Sequence, residues 1–222
     1  MVKAVIFDLD DTLISERQYI DSGYHYIAKL LSNRLNKNEE ELYKLLNELL
    51  IESPKNVFNR LFDKLEFCYT NDDILKLVEE YRNHVPAIKF YDDVLPCLEF
   101  LKSKGIKVGI ITDGYLNTQR RKLNAIKAYN YFDEIIITDE FGREFWKPHP
   151  KAFEIMQERL NVEFNEMIYV GDNPEKDFYI GSILPIKTVR IIRKQSIYIN
   201  TSYYMNIKEH FTIYSLTDLK IK

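Results

Sequence analysis

The sequence has few of the features that mark nucleic-acid-binding, membrane or secreted proteins. Its 31 basic and 34 acidic residues nearly balance, with a net charge of −3, so it lacks the positive charge that favours nucleic acid or an anionic membrane. No run approaches the roughly 20 apolar residues of a membrane helix, and the residues before Asp8 are too few for a signal peptide. We therefore expect a cytoplasmic protein with a small-molecule partner. Nothing in the sequence indicates an oligomeric state.

Cysteine is scarce as well. The two cysteines, Cys68 and Cys97, have no CxxC spacing, which argues against a zinc site or a redox pair. Both lie in apolar surroundings with a helical pattern. We expect both to be buried structural thiols, as unpaired cysteines commonly are.

Short apolar runs are present instead of long ones, and each ends at a polar or glycine-marked turn. Helical patterns separate most of them, such as Val94, Leu98 and Leu101 before the stop signal Gly105. Apolar strands that alternate with helices indicate an α/β fold with a parallel sheet covered on both faces. The strand-like runs are 4–7, 108–111, 134–138, 167–170 and 188–192, and residues 211–216 predict an edge strand.

One segment breaks this alternation. From Arg17 to His84 there is no strand-like run, but four helical patterns lie near 17–35, 38–51, 56–66 and 71–84, with Thr70 or Asn71 as a cap for the last. We predict an all-helical domain of residues 16–85, inserted after the first strand of a core formed by residues 1–15 and 86–222.

Polar residues follow four of the predicted strands. In an open parallel sheet the ligand crevice lies at the carboxyl ends of the strands, so these residues should meet there. Several acids in one crevice repel one another unless a cation neutralises them, and oxygen ligands suit magnesium. The residues are Asp8, Asp10, Asp11 and Thr12 after the first strand, Thr112, Asp113 and Gly114 after the second, Lys147 after the third, and Gly171, Asp172, Asn173 and Asp177 after the fourth.

This set of residues suits phosphoryl transfer. A carboxylate such as Asp8 can attack phosphorus and form an acyl-phosphate. Asp10, two residues further on, could protonate the leaving group and later take a proton from water. Thr112 and Lys147 could neutralise the phosphoryl oxygens.

Along the chain these residues form four motifs, DLDDTL (8–13), ITDG (111–114), KPHP (147–150) and GDNPEKD (171–177). Together and in this order they resemble the haloacid dehalogenase superfamily in its phosphatase branch. The resemblance implies a Rossmann-like core, and segment 16–85 is similar to the small helical cap (C1-type) of that family. The short helix expected after the fourth motif departs from the family, since the stretch 181–189 lacks a common Ala-Gly pair.

The resemblance also implies a role for each matching residue. Asp8 would be the nucleophile and a magnesium ligand, and Asp10 the acid/base, with its backbone carbonyl on the metal. The other expected roles are phosphate binding for Thr112, Asp113 and Lys147, metal binding for Asp172, and a supporting role near the lysine or metal-bound water for Asp177.

Several functions share such a core. A dehalogenase has no leaving group that needs Asp10, and a signalling receiver domain phosphorylates an aspartate after a later strand. A phosphomutase and a non-catalytic phosphate-binding or scaffold protein stay open as alternatives. The function that the sequence favours is a magnesium-dependent phosphatase of a small phosphorylated metabolite, with a sugar phosphate preferred and an aspartyl-phosphate intermediate.

Overall fold

The computed structural model describes residues 1–194, 196 and 198–221. Its centre is a six-stranded parallel sheet in the order β3-β2-β1-β4-β5-β6, which confirms the predicted α/β fold. The parallel edge strand β6 falls within the expected run 211–216. The strands are β1 (Ala4–Phe7), β2 (Lys107–Thr112), β3 (Glu134–Ile137), β4 (Met167–Gly171), β5 (Lys187–Ile191) and β6 (Phe211–Ile213).

The chain divides into two compact units. One comprises residues 1–16 and 89–222 and contains the sheet; the other comprises residues 17–88 and is helical. We call them the α/β unit and the helical unit. Within the described part of the chain, no helix combines the length and the apolar character needed to cross a membrane.

The four helical patterns between Arg17 and His84 are all helices. They are α1 (Glu16–Leu35), α2 (Glu39–Glu52), α3 (Val57–Lys64) and α4 (Asn71–Asn83). Fully buried Ile27, Leu46 and Phe62 belong to one apolar cluster of the helical unit. Thr70 caps α4 through a reciprocal pair of hydrogen bonds with Asp73, which satisfies amide groups that a helix start leaves free.

The expectation for Cys68 is wrong. This thiol is exposed and lies in the non-helical link between α3 and α4, whereas Cys97 is buried as expected. Phe67 and Tyr69, on either side of it, both pack against Phe62 with ring centroids 5.4 Å away. These rings hold the link in place while Cys68 is left exposed.

Helices cover the sheet in the α/β unit. They are α5 (Val94–Ser103), α6 (Leu116–Ala125), α7 (Lys151–Leu160) and α8 (Ile180–Ile183). Phe153 and Met156 of α7 pack in one cluster with Ile6 of β1, and Phe7, which points to the opposite face, is equally buried. Helix α8 has four residues, as short as the sequence predicts, because Pro185 follows its C-cap and disfavours helical backbone before it.

The register of the sheet positions the crevice. Strand β1 lies between β2 and β4, and Phe7 pairs with Ile110 on one side and with Val170 on the other. The amide of Asp8 extends the ladder by donating to the Val170 carbonyl oxygen at 2.8 Å. The residues that follow these three strands therefore lie side by side at one edge of the sheet.

Candidate active site

Lys147 lies at the centre of this edge. Its Nζ donates to Asp8 Oδ1 at 2.6 Å, to Asp177 Oδ1 at 2.9 Å and to the Tyr169 hydroxyl at 2.7 Å. Burial alone would lower the pKa of Lys147, but the charges of Asp177 and Asp8 raise it above its usual value. The lysine is therefore a permanent buried cation with acids on both sides.

Tyr169 is a member of this network that the sequence did not reveal. Its hydroxyl donates to Asp177 Oδ1 at 3.0 Å and accepts from Lys147. Burial, followed by the nearby charges of Asp177 and Asp8, raises its pKa well above the usual value, so it stays a neutral donor. A hydroxyl-bearing side chain in an otherwise apolar strand was the available signal.

Three acids lie close enough to share one cation. Asp8, Asp172 and Asp177 each offer a carboxylate oxygen within 4.8 Å of the others. Oδ2 of Asp172 is buried and has no hydrogen-bond partner among the described residues. Burial, and then the charges of Asp177 and Asp8, raise the pKa of Asp172 well above its usual value. A buried, unpaired carboxylate oxygen beside other acids fits a hard divalent ion.

Asp8 and Asp177 respond differently to Lys147. Burial raises the pKa of Asp8 to about 6, against the lowering effect of Lys147. In Asp177 the effect of burial is outweighed by the charges of Lys147 and Lys176, and its pKa is lowered. Asp177 is thus the stable counter-ion of the lysine, while the surroundings support the negative charge of Asp8 less than that of Asp177.

A glycine allows Asp177 to reach this position. Oδ2 of Asp177 accepts from the amide of Asn173 at 2.9 Å, which folds the loop after β4 back on itself. A Cβ atom at Gly171 would lie 2.5 Å from that same oxygen. The loop therefore requires glycine at position 171 for a close approach rather than for an unusual backbone angle.

The carboxylate of Asp10 is bound by a second lysine. Lys122 Nζ lies 2.7 Å from Oδ1 and 2.9 Å from Oδ2, and Gln119 Nε2 donates to Oδ2 at 3.0 Å. Burial would raise the pKa of Asp10, but the charge of Lys122 outweighs it and the pKa is lowered. Gln119 and Lys122 were not predicted from the sequence, because their contact with Asp10 depends on how α6 packs.

The two residues after β2 differ in what their side chains do. Thr112 Oγ1 accepts from Gln119 Nε2 at 2.6 Å and lies within the crevice. Oδ1 of Asp113 accepts from the amide of Lys147 at 3.1 Å and from the Thr138 hydroxyl at 2.7 Å. Because a carboxylate repels phosphate, a phosphate contact of Asp113 would use its backbone N–H.

Lys176 is a further cation at the site. Its Nζ lies 3.7 Å from Asp113 Oδ2, and its side chain is 28% exposed. Burial and Lys147 would lower its pKa, but the charges of Asp8, Asp177 and Asp113 raise it. The sequence signal for it is its place directly before Asp177 in the fourth motif.

Comparison with known proteins agrees with this geometry. Residues 5–191 match the family model described as haloacid dehalogenase-like hydrolase, and the chain belongs to that family. It is 31% identical over 199 residues to glyceraldehyde 3-phosphate phosphatase of Methanocaldococcus jannaschii, covering 87% of this chain and 86% of the relative. For the enzyme of the same name from Methanopyrus kandleri the identity is 34% over 201 residues, covering 87% and 85%.

A solved structure extends the likeness to three dimensions. The crystal structure of a HAD phosphatase from Thermococcus onnurineus superposes with a TM-score of 0.62 at 29% identity, covering 98% of this chain and 95% of the other. The resemblance drawn from the four motifs is thereby confirmed. The chain is a phosphatase of this family.

Proposed function

We propose that the chain is a magnesium-dependent phosphatase that hydrolyses a small phosphorylated metabolite through an aspartyl-phosphate on Asp8. The observation that carries the proposal is that Asp8 lies between a buried lysine and a buried acid with an unpartnered oxygen. Lys147 holds one oxygen of Asp8 at 2.6 Å, and the partnerless oxygen of Asp172 belongs to the same acid cluster. The carboxylates of Asp8 and Asp172, with the backbone carbonyl of Asp10, would hold magnesium.

The residues divide the reaction into two steps. An oxygen of Asp8 bonds to phosphorus while the bond from phosphorus to the leaving oxygen breaks, and Asp10 gives that oxygen a proton. Asp10 then takes a proton from water as the water oxygen attacks phosphorus and releases Asp8. Magnesium supplies positive charge that balances the acids and the phosphate. Lys147 and Thr112 neutralise and orient the phosphoryl oxygens in both steps.

The named relatives support a sugar phosphate or a similar phosphomonoester as substrate. Two of them are glyceraldehyde 3-phosphate phosphatases, and the match covers at least 85% of the length of each. We therefore propose glyceraldehyde 3-phosphate and related sugar phosphates as the first compounds to assay. We propose that the helical unit acts as the substrate-selecting cap. Exchanging it for the corresponding segment of a relative with another substrate should then shift the preference.

Turnover of a phosphomonoester panel, with magnesium and with a chelator, tests the activity. Asp8→Asn should lower turnover at least about 10³-fold, since it removes the nucleophile, and should abolish acid-stable labelling of the protein by phosphate. Asp92→Asn is the matched control, because Asp92 is 96% exposed. Turnover that survives in Asp8→Asn contradicts the proposal.

Two outcomes separate the alternatives. Release of inorganic phosphate from a monophosphate, without any bisphosphate activator, favours the phosphatase over a phosphomutase. Phosphate binding without turnover of any phosphomonoester in the panel would indicate a binding or scaffold protein.

A further inference from the structure

Two polar side chains of α6 point to Asp10 from one face of that helix. Gln119 and Lys122 are three residues apart, a spacing that puts them on the same side of a helix. Gln119 is 1% exposed and Lys122 4% exposed. Burying a lysine is costly unless its charge is paired, and an apolar residue would serve the packing of α6 at lower cost.

The contact with the Asp10 carboxylate has a defined geometry. Lys122 contacts both oxygens of Asp10 at 2.7 and 2.9 Å, so the carboxylate is fixed in orientation as well as in position. Gln119 binds Asp10 Oδ2 and Thr112 Oγ1 with the same nitrogen, at 3.0 and 2.6 Å. The contact therefore ties Asp10 to the residue proposed to bind phosphate.

The backbone places Asp10 but does not orient its side chain. Asp11 has a φ of 50°, so the chain turns directly after Asp10, and an isolated bridge pairs Asp10 with Ile14. An aspartate there can rotate about its side-chain bonds, and misplacing a reacting group by about 1 Å can cost about 10²-fold in rate. Contacts to both carboxylate oxygens remove that freedom.

We propose that Lys122 and Gln119 are positioning residues that hold the Asp10 carboxyl group for proton transfer to the leaving oxygen and from the attacking water. This inference rests on the proposed function, because it assigns Asp10 the acid/base role. Lys122 acts through Asp10 and not on the reacting phosphorus, whereas Gln119 also contacts Thr112. Loss of Lys122 should therefore lower kcat/KM, which reports transfer to Asp8, only where the leaving group needs a proton.

Leaving-group dependence tests this role. An alkyl phosphate needs a proton on its leaving oxygen, whereas 2,4-dinitrophenyl phosphate does not. In Asp10→Asn, kcat/KM should fall about 10²-fold or more for the alkyl phosphate, as expected for loss of acid/base catalysis, and much less for the dinitrophenyl ester. Lys122→Met should show the same selectivity with a loss of about 10-fold or more. Arg121→Met, its neighbour on α6, loses the same charge and should leave both values unchanged.

Combining the variants shows whether Lys122 acts through Asp10. In Asp10→Asn the target of the contact is already lost, so adding Lys122→Met should lower kcat/KM for the alkyl phosphate no further. If Lys122→Met fails to fold, as judged by circular dichroism, Gln119→Leu carries the test. It should give a smaller loss that is larger for the alkyl phosphate than for the dinitrophenyl ester.

The outcomes distinguish the two proposals. If Asp10→Asn is selective but Lys122→Met, or Gln119→Leu in its place, affects both substrates equally or neither, the positioning role is overturned and the proposed function stands. If losses in the double variant multiply, the positioning role is likewise overturned. If Asp10→Asn itself shows no selectivity, the acid/base assignment fails, and the positioning role fails with it.

Discussion

The two units of the molecule bury different kinds of side chain. In the helical unit, His84 is the buried polar residue among those that the structure describes, and its Nδ1 lies 2.6 Å from the Tyr81 carbonyl oxygen. In the α/β unit, the buried side chains include charged Asp8, Lys122 and Lys147. The helical unit thus buries mainly apolar side chains, which stabilise a fold. The α/β unit also buries charged side chains, which folding does not require.

The difference between the two units indicates where the functional residues lie, because burying charged side chains costs free energy. Buried ion pairs often stabilise a protein less than apolar residues of similar volume would. Their concentration where β1, β2 and β4 end is therefore accounted for by chemistry rather than by stability. If this is correct, substitutions in the two units should have separable effects on turnover and on unfolding.

The largest effect is expected from Lys147→Met, which leaves Asp8 and Asp177 without their shared cation. Removing one partner of a buried ion pair costs about 3–5 kcal/mol, so the free energy of unfolding should fall by this amount, and turnover should be lost. Denaturant unfolding without magnesium measures it. Adding Asp177→Asn should recover part of the stability, and exposed Lys102→Met should change it by no more than about 0.5 kcal/mol. Equal free energies of unfolding for Lys147→Met and Lys102→Met would contradict the proposed difference between the two units.

The next effect concerns the helical unit. Leu46→Ala removes a fully buried side chain of its apolar cluster and should lower the free energy of unfolding by about 2–5 kcal/mol. In the Leu46→Ala background, Asp8→Asn should lower turnover per folded molecule by the same factor as in the parent. Leu75→Ala is the matched control, since Leu75 is 65% exposed. An equally large loss of stability in Leu75→Ala would show that the loss in Leu46→Ala does not come from the apolar cluster.

Magnesium should stabilise the α/β unit through Asp172. At a magnesium concentration about 100-fold above its Kd, the gain is about 2.7 kcal/mol, visible as a rise in Tm. In Asp172→Asn this rise should be much smaller. The variant without magnesium should be at least as stable as the parent, because a buried carboxylate with one unpartnered oxygen is gone. An unchanged magnesium shift in Asp172→Asn would remove Asp172 from the metal site.

The smallest effect concerns a structural ion pair of the α/β unit. Asp93 Oδ2 accepts from Arg193 at 2.6 Å and from the amide of Leu216 at 2.8 Å. Burial raises the pKa of Asp93, but Arg193 and the Leu216 amide lower it further than burial raises it. A carboxyl with a lowered pKa adds stability above its unfolded pKa of roughly 3.9, and this is lost as the pH falls below it.

Asp93→Asn should therefore lower the free energy of unfolding by about 1–2 kcal/mol at pH 7. The difference from the parent should shrink as the pH falls below roughly 4. Denaturant unfolding of both proteins at pH 7 and at a pH below roughly 4 measures this difference. A difference that stays constant across this range would exclude the charge of Asp93 as its cause.

The sequence predicted the parts of the molecule that depend on local order. Apolar runs predict strands because their residues are buried on both faces, and motifs at strand ends meet because parallel strands end at one edge. Tyr169 and Lys122 lie outside those motifs and could not be found this way. Each joins the site through tertiary contacts whose partners lie far apart along the chain, such as Lys122 and Asp10. The error at Cys68 has the same origin, since neighbouring aromatic rings determine which way that link faces.

Gly171 carries a consequence for how such a protein could lose its activity. A single methyl group at this position would collide with the acid that steadies Lys147, and no charge would be gained or lost. A descendant of this chain could thus become inactive while every acid and base of the crevice was still in place. Inventories of polar residues would count such a descendant as intact.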